Sequence, residues 1–371
     1  MKFGIVFEIS VPRPFHPGVE KQVVDNCIEQ AALADQLGFD QVWAVEHHFL
    51  EEISHCSAPE MLLSAIAMRT EQIRLGFGIA VCVPQFSHPA RIAERAAMLD
   101  VLSGGRAEIG TGRSATWTEL GGFAADPDET KKTWDEYVRA IPRMWTQPTY
   151  SHRGRSFSMP ERAIVPKPLQ DPHPPLWVAV TSPGTEVDAA DRGLGCLGLV
   201  VGGMKRQEKT IDTYRRRIQL CDPVGSFVNE QVNTVNFMYC HEDPAHAMKR
   251  GAQLSDHFNY LAPQQLFVKE IYPTQSYATD GLFSALRQES TSSGDPMKIP
   301  DGIAIGDPDR VIRSLKRWEA IGVDRVVFIL NSVETIPQAE VLDSLRLFAR
   351  EVMPAFGHRP AVGSVSADEV A

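Results

Sequence analysis

Two adjacent histidines, His47 and His48, follow Glu46 and precede Phe49. An imidazole titrates near neutral pH and can give or take a proton, so a histidine at a strand end is a natural acid–base group. Adjacent side chains on a strand point to opposite faces, so only one of the pair can aim inward while strand geometry holds. A metal site would prefer alternate positions. Here only Glu46 and His48 alternate, with His55 on a nearby loop, and no metal is expected. A second group, Gly110-Thr111-Gly112-Arg113-Ser114, joins glycines that allow close backbone approach to a guanidinium whose planar fork suits phosphate oxygens. A third, Thr181-Ser182-Pro183-Gly184-Thr185, sets hydroxyls at the start of a predicted helix, where free N–H groups favour an anion. Each has a plainer reading: a hydrogen-bonded strand-end histidine, a turn with a surface arginine, an N-cap.

These groups need elements to position them. Apolar runs predict strands at Lys2–Glu8, Gln41–Val45, Ile73–Val83, Arg106–Gly110, Leu176–Val180, Cys196–Val201, Asn233–Cys240 and Arg325–Leu330. Helical spacing marks Val19–Leu37, Pro59–Arg69, Pro89–Leu102, Glu129–Trp145, Gly184–Asp191, Arg206–Leu220, Pro244–Tyr260, Asp307–Ala320 and Pro337–Val352. Strands alternating with helices imply right-handed βαβ units and a parallel sheet. Eight strands suit a closed (β/α)₈ TIM barrel, although an open doubly wound sheet shares the alternation. The predicted domain is residues 1–356, with a lid-like insertion at about 261–305 and a frayed tail at 357–371. In a barrel the site lies where strands end, and the candidate groups all follow predicted strands.

The 371 residues are 43% apolar, which excludes a disordered chain, and carry a formal charge of −10, which argues against a nucleic-acid partner. No apolar run approaches the roughly 20 residues that span a bilayer. Met1-Lys2-Phe3-Gly4-Ile5 enters a strand-like run at once, leaving no room for a signal peptide. Six scattered cysteines without a CxxC pair fit reduced thiols, and the expected location is the cytoplasm.

In order along the chain stand Met1-Lys2-Phe3-Gly4, Gly38-Phe39-Asp40, Val42-Trp43-Ala44-Val45-Glu46-His47-His48-Phe49, His88-Pro89, Leu102-Ser103-Gly104-Gly105-Arg106, Gly110–Arg113, Ala189-Ala190-Asp191-Arg192-Gly193 and Val352-Met353-Pro354. This series resembles the bacterial-luciferase-like, flavin-dependent monooxygenases, in particular the alkanal monooxygenase branch. The likeness runs from residue 1 to about 200 and resumes near 306–354. It implies a barrel that takes FMN, in the reduced form FMNH2 supplied by a separate reductase, and oxygenates a small apolar molecule with O2 through a flavin 4a-peroxide. It also implies catalytic roles at His47 and His48. Cofactor contacts would come from Gly78, Ile79, Gly112, Arg113, Thr181, Ser182, Gly184 and Thr185, with a non-proline cis peptide at Gly78–Ile79. A homodimer is the family's usual state.

Ser10, Phe15, Phe49, Phe86 and Trp117 fall on predicted loops at the same end and are expected to line an apolar substrate chamber. There are departures from luciferase itself: Gly112 stands at the place of a reactive cysteine, and Thr181 at that of a glutamate. Three rivals remain: a deazaflavin-dependent hydride-transfer oxidoreductase, a non-catalytic flavin-binding protein and a metal-dependent hydrolase.

Overall fold

The computed structural model describes residues 1–358, with 115, 183, 200–203, 267–298 and 333 excepted. The chain alternates strand and helix as β1 (Lys2–Phe7), α1 (Val19–Gln36), β2 (Gln41–Ala44), α2 (Pro59–Ala67), β3 (Arg74–Val81), α3 (Pro89–Leu102) and β4 (Ala107–Gly112). Then come α4 (Trp117–Gly122), α5 (Pro127–Thr146), a hairpin of β5 (Tyr150–Arg153) and β6 (Ser158–Arg162), β7 (Leu176–Ala179), α6 (Thr185–Asp191) and β8 (Gly195–Leu199). The remainder is α7 (Met204–Ile218), β9 (Val232–Cys240), α8 (Pro244–Leu266), β10 (Ala304–Gly306), α9 (Pro308–Ala320), β11 (Arg325–Ile329) and α10 (Gln338–Leu347), followed by two short helical turns to Phe356.

Eight parallel strands close into a barrel in the order β1-β2-β3-β4-β7-β8-β9-β11, with β11 returning to β1. The closing registers are Gly4↔Val327 and Leu197↔Asn233. The open-sheet alternative is thereby excluded. Most of the expected lid, 267–298, and the tail from 359 lie outside the described residues.

The barrel interior is filled by large rings facing glycines. Trp43 and Trp177 meet edge-to-face with centroids 5.7 Å apart. A Cβ on Gly76 would fall 2.2 Å from the Trp43 ring, and one on Gly195 would fall 2.4 Å from Trp177. Alternating large and small residues is how such interiors reach close packing.

The β3–β4 pair corrects one expectation. The Gly78–Ile79 peptide is not cis; among the described residues the cis bonds are Arg13–Pro14, Val165–Pro166 and Asp171–Pro172, each before proline. Instead β3 bulges: Phe77 pairs with Ile109 and Ala80 with Thr111, so Gly78 and Ile79 face one residue, Gly110. The glycines of β4 make room for this bulge. A Cβ at Gly110 would lie 2.2 Å from the Phe77 carbonyl oxygen, and one at Gly112 would lie 2.8 Å from Ile79. Gly110→Ala is therefore expected to destabilise the fold by about 1–3 kcal/mol through overpacking against backbone, read as a lowered Tm.

Candidate active site

A broad pocket opens at the C-terminal ends of the barrel strands, with about 1610 Å³ of space, its mouth included. Its walls are mainly apolar, and its polar groups form two clusters, one around His47 and one around Arg113.

In the first cluster, β2 delivers His47 to the cavity. The loop after β2 is stitched to the one after β1: Ser54 Oγ donates to the Glu8 carbonyl, and the His55 N–H donates to the Ile9 carbonyl. Ile9 holds φ 53°, a strained value for a β-branched residue. His47 Nδ1 donates to Glu119 Oε1 at 3.0 Å. Glu119 is fully buried and also accepts from the His48 N–H, Ser114 Oγ and Thr116 Oγ1. Burial alone would push the Glu119 carboxyl up, but His47 and these donors hold it below the usual carboxylate range. Burial likewise opposes the charged form of His47. The charge and hydrogen bond of Glu119, with the charges of Glu8 and Glu46, outweigh it and lift the imidazole to about 9. The pair is thus an imidazolium held by a carboxylate at neutral pH. Glu8 Oε2 stands 3.8 Å from His47 Nε2. Burial, the largest influence on Glu8, raises its carboxyl; His47 partly offsets this.

In the second cluster, Arg113, Ser182 and Thr185 line the same cavity, as the sequence predicts, and Lys131 of α5 joins them. Lys131 Nζ pairs with Asp188 at 2.6 Å, and Arg113 Nη1 reaches Thr130 Oγ1 at 3.4 Å. The start of α6 contributes differently than expected. The Gly184 N–H donates to its own helix's Glu186, and the Thr185 N–H donates to the Ser182 carbonyl. With those two amides occupied, the cationic side chains and hydroxyls carry more of an anion's contacts. Gly184 itself does not line the cavity. Gly78, Ile79, Gly112 and Thr181 do.

The second histidine and the expected substrate residues sit elsewhere. His48, beyond the end of β2, does not line the cavity: its ring packs 4.9 Å from Phe123 and 5.5 Å from Phe86. Phe123 also gathers Phe49 and Phe86, drawing all three off the cavity wall. Trp117 packs with Val81, Val83, Leu120 and Ala125. Ser10 donates to the Ile53 carbonyl, and the half-exposed Phe15 lies under the Arg13 guanidinium. The apolar wall beside His47 comes instead from Val6, Val45, Ile53, Val327 and Ile329, with Phe258 of α8.

Sequence reasoning missed Glu8, Glu119, Lys131 and α4. A signal existed for the last: Thr116-Trp117-Thr118-Glu119 has the spacing of a capping box, and Thr116 Oγ1 does accept from the Glu119 N–H. The glutamate departs from the usual box by turning its carboxylate to His47. Glu8 and Lys131 carry no local pattern and become meaningful only when β1 and α5 converge on the cavity.

Known proteins match this architecture. A flavin-dependent trigonelline monooxygenase, oxygenase component, from Acinetobacter baylyi is 27% identical over 96% of both chains. The crystal structure of monooxygenase RslO1 from Streptomyces bottropensis superposes with a TM-score of 0.78 at 26% identity, covering 96% of this chain and 100% of that one. The oxygenating constituent of 3,6-diketocamphane monooxygenase from Pseudomonas putida, solved with FMN, superposes at 0.75 with 17% identity over 96% and 98%, a likeness of fold. The family model for luciferase-like monooxygenases matches residues 1–325. A match over that much of the chain, on a barrel of this strand order, shows the family: the protein belongs to the luciferase-like monooxygenases.

Proposed function

We propose that the protein is the oxygenase of a two-component system that uses reduced FMN and O2 to oxygenate a small, largely apolar organic molecule. The observation that carries this reading is the convergence of Arg113, Lys131, Ser182 and Thr185 on a cavity that His47 also lines. Two cations and two hydroxyls are a donor set for a phosphate, and the broad apolar middle suits a planar ring. The family and the flavin-dependent relative support the same cofactor class. Reduced flavin, when bound, supplies the electrons that activate O2. Arg113 and Lys131 neutralise the phosphate, and Ser182 and Thr185 fix its oxygens. Ile79, Val81 and Val178 exclude water from the ring's surroundings. His47, fixed in orientation by Glu119, holds a proton on Nε2 at the cavity edge. Catalysis by one positioned proton donor is worth about 10²–10⁴-fold.

The test is to mix protein with anaerobically reduced FMN, admit O2, and measure oxygenated product and H2O2 across aldehydes, ketones, terpenes and nitrogen heterocycles. Product formation dependent on reduced FMN is expected. Failure to bind FMN in either redox state would overturn the reading, and preference for a deazaflavin without O2 consumption would assign hydride transfer. Addition of a flavin reductase with NADH should replace chemical reduction.

The homodimer reading draws support from the neighbouring helices α2 and α3, which expose Met61 (71%) on one and Met98 (47%) and Leu102 (46%) on the other. Apolar stripes of this kind mark protein contacts. The combined change Met61→Lys and Met98→Lys is expected to convert a species of twice 41.1 kDa into a monomer by light scattering. An unchanged mass would remove these helices from the interface.

A further inference from the structure

Four carboxylates among the described residues line the cavity: Glu8, Glu46, Glu119 and Asp188. Glu8 and Glu119 flank His47, and Glu46 accepts from the Val81 N–H. Asp188 differs, because it stands among the groups assigned above to a phosphate. It follows Thr185 by three residues on α6, so both side chains share the helix face that meets the cavity. Its Oδ2 lies 2.6 Å from Lys131 Nζ, and its Oδ1 lies 3.5 Å from Arg192 Nη1. A carboxylate placed in a site for an anion works against that anion, because like charges repel at this range.

The two cations on Asp188 are not equivalent. Arg192 is anchored: its Nε donates to Asp135 at 2.6 Å, its Nη1 donates to the Asp188 carbonyl at 2.9 Å, and its guanidinium stands 5.0 Å from the Trp134 ring. It does not line the cavity. Lys131 does, with over half of its side chain exposed on a flexible four-carbon stem. Its neighbour Thr130 accepts from Arg113 Nη1, which brings this turn of α5 beside the guanidinium. Lys131 can therefore change partners, and Arg192 keeps Asp188 paired when it does. We infer that Asp188 competes with the flavin phosphate for Lys131 and so weakens the protein's hold on FMN. Such a competitor suits a flavin that is exchanged: an oxygenase that takes reduced FMN from a reductase must also let the oxidised form go.

This inference rests on the FMN reading, and binding measurements separate the two. Oxidised FMN, anaerobically reduced FMN and riboflavin are titrated into the wild type and into Asp188→Asn, which keeps the shape and removes the charge. The variant is expected to bind both redox states of FMN at least about fivefold more tightly, the effect of one partly screened charge, and riboflavin no differently. Asp188→Ser should give the same gain and guards against a folding defect particular to the asparagine. Glu186→Gln is the control for general charge. Glu186 belongs to the same helix, but its carboxylate accepts from the Gly184 N–H and does not line the cavity, so FMN affinity should change less than about twofold. An unchanged or weakened hold on FMN in both Asp188 variants would overturn the competition and leave Asp188 as a group that aims Lys131. A parallel tightening of riboflavin, or an equal gain from Glu186→Gln, would overturn it as well. Each of these results leaves FMN binding by the wild type intact, whereas a wild type that binds no FMN would take down both readings.

Discussion

Replacing His47 with alanine is expected to lower turnover by about 10²–10⁴-fold while FMN affinity changes little. The imidazole follows β2 and is not one of the Arg113, Lys131, Ser182 and Thr185 group, so its loss removes a proton donor without removing a phosphate contact. Stopped-flow turnover beside an FMN titration measures both; an equal fall in the two would refute the role. A companion change separates the imidazole from its support. Glu119→Gln removes the charge that most strongly lifts His47, so the imidazole should fall from about 9 toward its ordinary value near 6.5. The pH above which activity is lost should fall with it. Stability carries the same sign. A histidine raised on folding contributes fully below its unfolded value, and that contribution is lost as pH rises through about 9. The wild type should therefore lose its His47-dependent stability on the alkaline side, and Glu119→Gln should flatten that limb in pH-dependent melts.

Arg113→Ala is expected to weaken FMN binding by about 30-fold or more, since truncating one partner of a buried charge contact costs about 2–5 kcal/mol. Riboflavin, which has the same ring and no phosphate, should bind the variant and the wild type alike. Lys131→Ala should repeat the pattern more weakly, because Asp188 already draws on that ammonium. A similar loss for riboflavin would mean that Arg113 holds the ring or the fold and not the phosphate.

The elements that position these groups were legible where local chemistry is strong. Helix α3 runs from Pro89 to Leu102 as expected because proline opens it, His88 caps it by accepting from the Ala90 N–H, and Ser103 with two glycines ends it. The β5–β6 hairpin escaped notice because its residues are largely exposed and show no clean apolar alternation. Helix α4 is only six residues long and ends in Gly121-Gly122, so its capping box was its sole signal. Within the site, His47, Arg113, Ser182 and Thr185 stand on strand ends or a helix start, where residue type and spacing say something about position. Glu8 and Lys131 are single charges in unremarkable stretches, and only strand order and helix packing bring them to the cavity. The aromatic residues misled for the opposite reason. Phe49 and Phe86 occupy loops at the right end of the barrel and Trp117 opens α4 there, yet apolar side chains pack with whichever neighbour is nearest, here Phe123 for the first two and Val81, Val83 and Leu120 for the third.

A crystal structure of the protein soaked with FMN tests the central claim most directly. The account predicts phosphate oxygens within about 3 Å of the Arg113 guanidinium and of the Thr185 or Ser182 hydroxyl, with the ring extending toward His47. A phosphate bound at any other part of the molecule, or a ring turned so that His47 faces the phosphate end, would contradict it.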